Sequence, residues 1–125
     1  MPRILVIDDD ADMRSVLEQS LQAAGYEVDL AETGLEGMAH FHSKPVDVVV
    51  TDLIMSQQEG LETIIKFRNE FPGIPIIAIS GNTAAKPLLT IARRLGAAAI
   101  LQKPFPPDHL ISEVQRALRS RARSR

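Results

Sequence analysis

The feature that most constrains this chain is a set of short apolar runs, each ending in a polar residue and each followed by a segment of helical period. Ile4-Leu5-Val6-Ile7 ends in Asp8-Asp9-Asp10, and Val46 to Thr51 ends in Asp52. Pro75-Ile76-Ile77-Ala78-Ile79 ends in Ser80-Gly81, and Ala97 to Leu101 leads to Lys103-Pro104. Val28-Asp29-Leu30-Ala31 is a weaker run between the first two. Short runs that are apolar at every position suit strands buried on both faces. Between them, Met13, Val16, Leu17, Leu21 and Ala24 recur at helical spacing before Gly25. Thr33-Gly34-Leu35-Glu36 has the spacing of a capping box and predicts a helix with Leu35, Met38 and Ala39 inward. Leu61, Ile64, Ile65 and Arg68 mark a third helix, stopped by Phe71-Pro72-Gly73. Leu88, Ile91, Ala92 and Leu95 mark a fourth, ended by Gly96. Pro107 opens a fifth, with Leu110, Ile111, Val114 and Leu118 as its stripe. Five strands alternating with five helices predict an α/β fold, a doubly wound parallel sheet covered on both faces.

Composition narrows the function. The 125 residues fit one domain. No apolar run approaches the ~20 residues that cross a bilayer, and the opening Met1-Pro2-Arg3-Ile4 gives no expectation of a signal peptide. The absence of cysteine excludes a disulfide, a thiolate zinc site and a cysteine nucleophile, and fits a cytoplasmic setting. Five arginines and no acid fill the last ten residues; without them 9 basic residues face 16 acidic ones, a balance of −7. An acidic body argues against nucleic-acid binding by the fold and suits capture of a cation or a basic partner. The expected organisation is one domain over residues 1–119, followed by an Arg/Ser-rich tail, 120–125, that is disordered or begins a linker.

In an open parallel sheet, sites form beyond the carboxyl ends of the strands. Asp8 and Asp9, Asp52, Ser80 and Lys103 all fall there. Carboxylates held together repel unless a cation joins them. Hard oxygen ligands with open positions suit Mg²⁺, and a lysine and a hydroxyl suit the remaining oxygens of a phosphoryl group. The chemistry suggested is metal-assisted phosphoryl transfer, with an aspartate as a possible nucleophile. Asp10 reads as a helix cap and stays outside the site. His40 and His42 lack acidic or cysteine partners at ligand spacing and read as surface or packing residues, while Met13, Met38 and Met55 read as core filling.

Taken together, Asp8-Asp9, Asp52 with Met55 and Gly60 after it, Ser80-Gly81 and Lys103-Pro104-Phe105 resemble the receiver domain of two-component response regulators over about residues 3–118. The resemblance implies a flavodoxin-like (βα)5 fold with strand order 2-1-3-4-5. It implies a signalling switch rather than an enzyme acting on an external substrate. Asp52 would accept a phosphoryl group from a histidine kinase or histidine phosphotransfer protein. Asp9, Asp52 and the backbone carbonyl of Ile54 would ligate Mg²⁺ or Mn²⁺, with Asp8 holding a metal-bound water. Ser80 would shift to bind the phosphoryl group, Lys103 would pair with it, and the Lys103–Pro104 peptide would be cis. The fourth helix, fifth strand and fifth helix would form the output face and a possible homodimer contact. Three residues depart from the family's pattern. Ser56 replaces a common proline, which implies a looser loop. Ile54 borders the path of the attacking water. Ile100 stands where the family carries an aromatic switch residue, so either the output face signals through backbone shifts of residues 80–84 or coupling is weak.

Two other classes compete. A pseudo-receiver would keep the fold as an interaction module without cycling phosphate. A haloacid-dehalogenase-type phosphohydrolase would use Asp8-x-Asp10 as its nucleophile motif, with Ser80 and Lys103 helping; turnover surviving Asp52→Ala but not Asp8→Ala would mark it. Flavin binding is disfavoured, because acids occupy the first strand end, where a phosphate needs backbone donors.

Overall fold

The computed structural model describes residues 1–53, 59–81 and 86–123. The chain alternates without exception through β1 (Arg3–Ile7), α1 (Ala11–Ala23), β2 (Glu27–Ala31), α2 (Gly34–Ser43) and β3 (Val48–Asp52). It continues through α3 (Glu59–Glu70), β4 (Ile76–Ser80), α4 (Lys86–Arg94), β5 (Ala99–Gln102) and α5 (Pro107–Arg123). The five strands form one parallel sheet in the order β2-β1-β3-β4-β5, as the resemblance implied.

The apolar runs are explained by burial on two faces. Leu5, Ile7, Val49, Ile76 and Ala78 pack beneath α2, α3 and α4, against Met38, Phe41, Ile64, Phe67 and Ala92. Ile4, Val6, Val48, Val50, Ile77 and Ile79 pack on the opposite face, against Leu17 and Leu21 of α1 and Leu110 and Val114 of α5. Successive strand residues point to opposite faces, so only a run without polar interruption fills both cores. The edge strands are less apolar: β2 leaves Glu27 and Leu30 exposed, and only Leu101 of β5 is buried.

Helix ends follow the sequence signals. Gly25 and Gly96 have φ of 96° and 100°. Each closes a paired C-terminal motif: Gly25 N donates to Gln22 O and Tyr26 N to Leu21 O, as Gly96 N does to Arg93 O and Ala97 N to Ala92 O. Thr33 caps α2 by accepting from Glu36 N at 3.1 Å, and Glu36 in turn accepts from Glu32 N at 3.4 Å.

Several expectations are corrected. Leu35 is 73% exposed and Ala39 also faces solvent; α2 buries Gly34, Gly37, Met38 and Phe41. The reason is close approach: a Cβ on Gly34 would overlap the Thr63 side chain of α3, and one on Gly37 would lie 2.5 Å from Ile7 Cδ1. Glycine, not leucine, marks the contact face. In α1, Val16 is 54% exposed and Ala24 is also exposed. In α3, Ile65 is exposed while Thr63 and Phe67 are buried. Strand β3 begins at Val48 rather than Val46, and β5 at Ala99 rather than Ala97. The predicted tail is helical through Arg123, because Arg121 is anchored: its guanidinium donates to Asp47 O at 3.0 Å and to Asp47 Oδ1 at 3.3 Å. His40 Nε2 donates to Asp29 Oδ2 at 2.8 Å, and His42 pairs with Glu70 and rests edge-on against Phe71.

Candidate functional site

Parallel register brings the strand ends together. Ile7 lies opposite Thr51, Asp52 opposite Ile79, and Ser80 opposite Gln102. Asp8, Asp52, Ser80 and Lys103 therefore meet at one edge of the sheet. The ladder continues past the strands, with Leu53 N donating to Ile79 O at 2.8 Å and Lys103 N to Ser80 O at 2.7 Å. These bonds fix the backbone from which the site side chains project. Asp8 is 1% exposed, Asp52 6% and Ser80 fully buried, an unusual degree of burial for such polar groups.

Lys103 Nζ donates to Asp52 Oδ2 at 3.1 Å and lies 4.0 Å from Asp8 Oδ2. One ammonium thus faces two buried carboxylates. Asp8 Oδ1 accepts from Asp10 N at 2.9 Å, but its buried Oδ2 has no hydrogen-bond partner among the described residues. Burial pushes the Asp8 carboxyl up to about 6 from 3.8. The Asp10 N–H and Lys103 pull it down, and Asp52 and Asp9 push it up.

A cation would answer this imbalance. The donor set is oxygen only, two buried carboxylates and the exposed Asp9 at the mouth. Among the described residues no three acids or histidines form a cage by themselves. A few carboxylates with positions left for water suit Mg²⁺, which retains part of its hydration. The orphaned Asp8 Oδ2 is the atom best explained by such an ion.

Other expected residues fall as follows. The Lys103–Pro104 peptide is cis. Ile100 is half-buried and packs against the core under α2, α3 and α4. Ile54, Met55, Ser56 and residues 82–85 lie outside the described residues. Asp10 accepts from Asp12 N and Met13 N as the cap of α1 and is exposed, so it is not paired with Asp8 in the manner a phosphohydrolase motif would require.

Sequence reasoning missed Arg14, whose guanidinium donates to the backbone carbonyl of Asp8 at 2.7 Å and so pins the turn that carries Asp8 and Asp9. Its only signal was a cation one helical turn beyond three acids. It also gave no role to Gly60. A Cβ there would overlap Leu53, with its Cα only 2.5 Å away, so glycine lets α3 start directly against the chain leaving Asp52. Beside Lys103, an apolar groove of about 230 Å³ runs between α1 and the start of α5, lined by Met13, Val16, Leu17, Pro104, Phe105 and Leu110 among others.

An open five-stranded parallel sheet with carboxylates and a lysine converging at its strand ends defines an α/β domain suited to phosphoryl chemistry. The chain belongs to the response regulator receiver domain family, whose model matches residues 4–115. It is similar to the transcriptional regulatory protein GlrR of Escherichia coli, 30% identical over 95% of this chain and 27% of that protein. It is also similar to the response regulator MprA of a Mycobacterium species, 32% identical over 94% of this chain and 50% of that protein. The chain thus spans between a quarter and a half of the curated relatives it matches. Among solved structures, a response regulator receiver domain protein from Clostridium thermocellum matches over the full length of both chains, with a TM-score of 0.94 and 25% identity. A CheY-like receiver from Methanospirillum hungatei matches with a TM-score of 0.92 and 27% identity, over 100% of this chain and 99% of that one. The domain is a response regulator receiver of two-component signal transduction, a family that is typically Mg²⁺-dependent. No helix among the described residues is long and apolar enough to cross a membrane.

Proposed function

We propose that Asp52 is the phosphoryl acceptor of a cytoplasmic switch that takes its phosphoryl group from a histidine kinase or histidine phosphotransfer protein. The observation that carries this reading is the buried Asp52 carboxylate, 3.1 Å from Lys103 Nζ and beside the unsatisfied Asp8 Oδ2. An Asp52 oxygen attacks phosphorus, the N–P bond of the phosphohistidine breaks, and its electron pair returns to the imidazole nitrogen. The product is an aspartyl phosphate. Lys103 moves from the carboxylate to a phosphoryl oxygen as that charge arrives, and Ser80 supplies its hydroxyl from the adjacent strand end. Asp8, Asp9 and Asp52, with the Ile54 carbonyl, would hold Mg²⁺, which neutralises charge on the transferring group. Positioning and charge compensation do most of the catalytic work in such a transfer.

The donor must reach the mouth where Asp52 sits. The apolar groove bordering Lys103, with the half-exposed Val16 on its wall, is the surface on which an apolar helix of the donor seats. Output runs through the face made by α4, β5 and α5, where Ile100 takes the place of an aromatic ring.

Intact mass after incubation with acetyl phosphate tests the reading. A gain of one phosphoryl group that needs both Mg²⁺ and Asp52, and is lost in Asp52→Ala, is the expected result. No gain in the wild type, with no Mg²⁺ binding, would replace it with a pseudo-receiver.

A further inference from the structure

The opposite end of the sheet holds a second polar feature. A cavity of about 260 Å³ opens below the starts of β4 and β5, lined by Arg68, Gly73, Ile74, Ala98, Ser120 and Arg121 among others. Two arginines line it and no acid does. Arg68 donates to Pro72 O at 2.6 Å and to Ile74 O at 2.8 Å. Among the described residues its buried Nε–H has no hydrogen-bond partner and no ion pair includes it. Burial accordingly lowers its pKa. The guanidinium is half-buried, with Nε set against Gly96, and among the described residues it meets carbonyls but no carboxylate. Arg121 does meet an acid, Asp47, but that carboxylate already accepts from Arg3 N at 2.8 Å.

The wider charge pattern has the same sign. Residues 1–70 hold fourteen acids and five Lys or Arg, whereas residues 71–125 hold two acids and nine. The cavity is built largely from the second stretch, and the charged residues that line it, Arg68 and Arg121, are both cations. Cations near helix C-termini answer the helix dipole, but a solvated side chain suffices for that. Holding one half-buried at the wall of an open cavity, with no carboxylate paired to it among the described residues, is not required by it.

We propose that this basal cavity binds an oxyanion, a carboxylate or phosphate group, held by Arg68 and Arg121. Guanidinium groups suit both through paired, charge-assisted hydrogen bonds. The site is separate from Asp52, lying at the other end of five-residue strands, about 17 Å away.

Titration of the ¹⁵N-labelled chain with inorganic phosphate, and separately with citrate, at constant ionic strength and without Mg²⁺, tests the assignment by NMR. Saturable shifts of the Arg68 Nε–H and of the Ile74, Ala98 and Arg121 amides are expected. Saturation by phosphate alone identifies a phosphate ligand, and by citrate alone a carboxylate. Arg68→Met should abolish the response, but Arg68 also ties down the 72–74 turn. Gly73→Glu therefore provides the second test: a Cβ there meets nothing within 4 Å, and the new carboxylate reaches the cavity from the chain itself. It should raise Tm and remove the response to added anion. Shifts that grow linearly at every exposed arginine, saturable shifts confined to Ser80 and Lys103, or an undiminished response in Gly73→Glu would each overturn the proposal.

Discussion

The two ends of the sheet solve opposite problems with similar residues. At the carboxyl end, buried Asp8 and Asp52 share one lysine, and one oxygen of Asp8 has no hydrogen-bond partner among the described residues. At the amino end near β1, Arg3 pairs with Asp29 at 2.8 Å and with Glu27, and its backbone N–H binds Asp47, which Arg121 holds from α5. There each acid has a cation or an N–H in reach, and most are part-exposed. The contrast teaches where stability and function separate. The amino end ties first strand, edge strand, third strand and last helix together, while the carboxyl end keeps charge in reserve for a cation and a phosphoryl group. The glycine pattern agrees, since Gly60 packs α3 against the acceptor end with no room for a side chain.

The largest way to break the comparison is Gly60→Ala. The added methyl overlaps the Leu53 backbone, which cannot move without shifting Asp52. Overpacking of this kind costs on the order of 3 kcal/mol. Urea unfolding should show that loss, and the surviving folded protein should phosphorylate more slowly.

The next substitution should act in the opposite direction. Asp8 has a folded-state pKa of about 6 against 3.8 in the open chain. Between those values the folded protein holds the proton while the unfolded chain has released it, so stability falls as pH rises from about 4 to about 6. Above that window the ionised, buried Asp8 costs on the order of 3 kcal/mol in the metal-free protein. Asp8→Asn should therefore raise urea stability at pH 7, flatten the profile between pH 4 and 6, and weaken Mg²⁺ binding. Unchanged stability would mean that the carboxylate is already compensated.

Asp47→Ala sharpens the other side. It removes the acceptor of Arg3 N and the carboxylate facing Arg121, and should cost about 1.5 kcal/mol. Phosphorylation by acetyl phosphate should proceed at the wild-type rate, and amide exchange should rise at the end of α5. A loss of phosphorylation equal to that of an Asp8 variant would collapse the distinction between the two ends.

The sequence made the carboxyl end easier to read than the rest, for physical reasons. A polar residue directly after an apolar run must sit at a strand end, and parallel strands gather those ends. Asp8, Asp52, Ser80 and Lys103 are thus grouped by the sequence pattern alone. Helix faces were less legible. Counting apolar residues placed Met38 inward correctly but also Leu35, whereas Gly34 and Gly37, with almost no side chain, share the contact face with Met38 and Phe41. The helical state of residues 120–123 was hard to read for a related reason. Arginine and serine alone suggest disorder, and only the fold places Asp47 where Arg121 can reach it. Arg14 was invisible because its short bond goes to a backbone carbonyl and its side-chain partner, Glu32 at 3.5 Å, lies eighteen residues away and is brought near only by the fold.

Val16→Glu should have the smallest effect on stability and the most selective effect on function. Val16 is more than half exposed on α1, so little burial is lost, and glutamate is a better helix former than valine. The groove beside Lys103 has an apolar lining, however, and a carboxylate on its wall would have to be desolvated against any apolar helix seated there. Acetyl phosphate is small and needs only the mouth. The rate of phosphorylation by acetyl phosphate should therefore stay at the wild-type value, while transfer from a phosphohistidine protein slows by tenfold or more, about 1.4 kcal/mol of docking energy. Equal slowing of both donors would place the damage in the site itself. No slowing of either would move the docking surface away from α1, leaving the groove without a part in transfer.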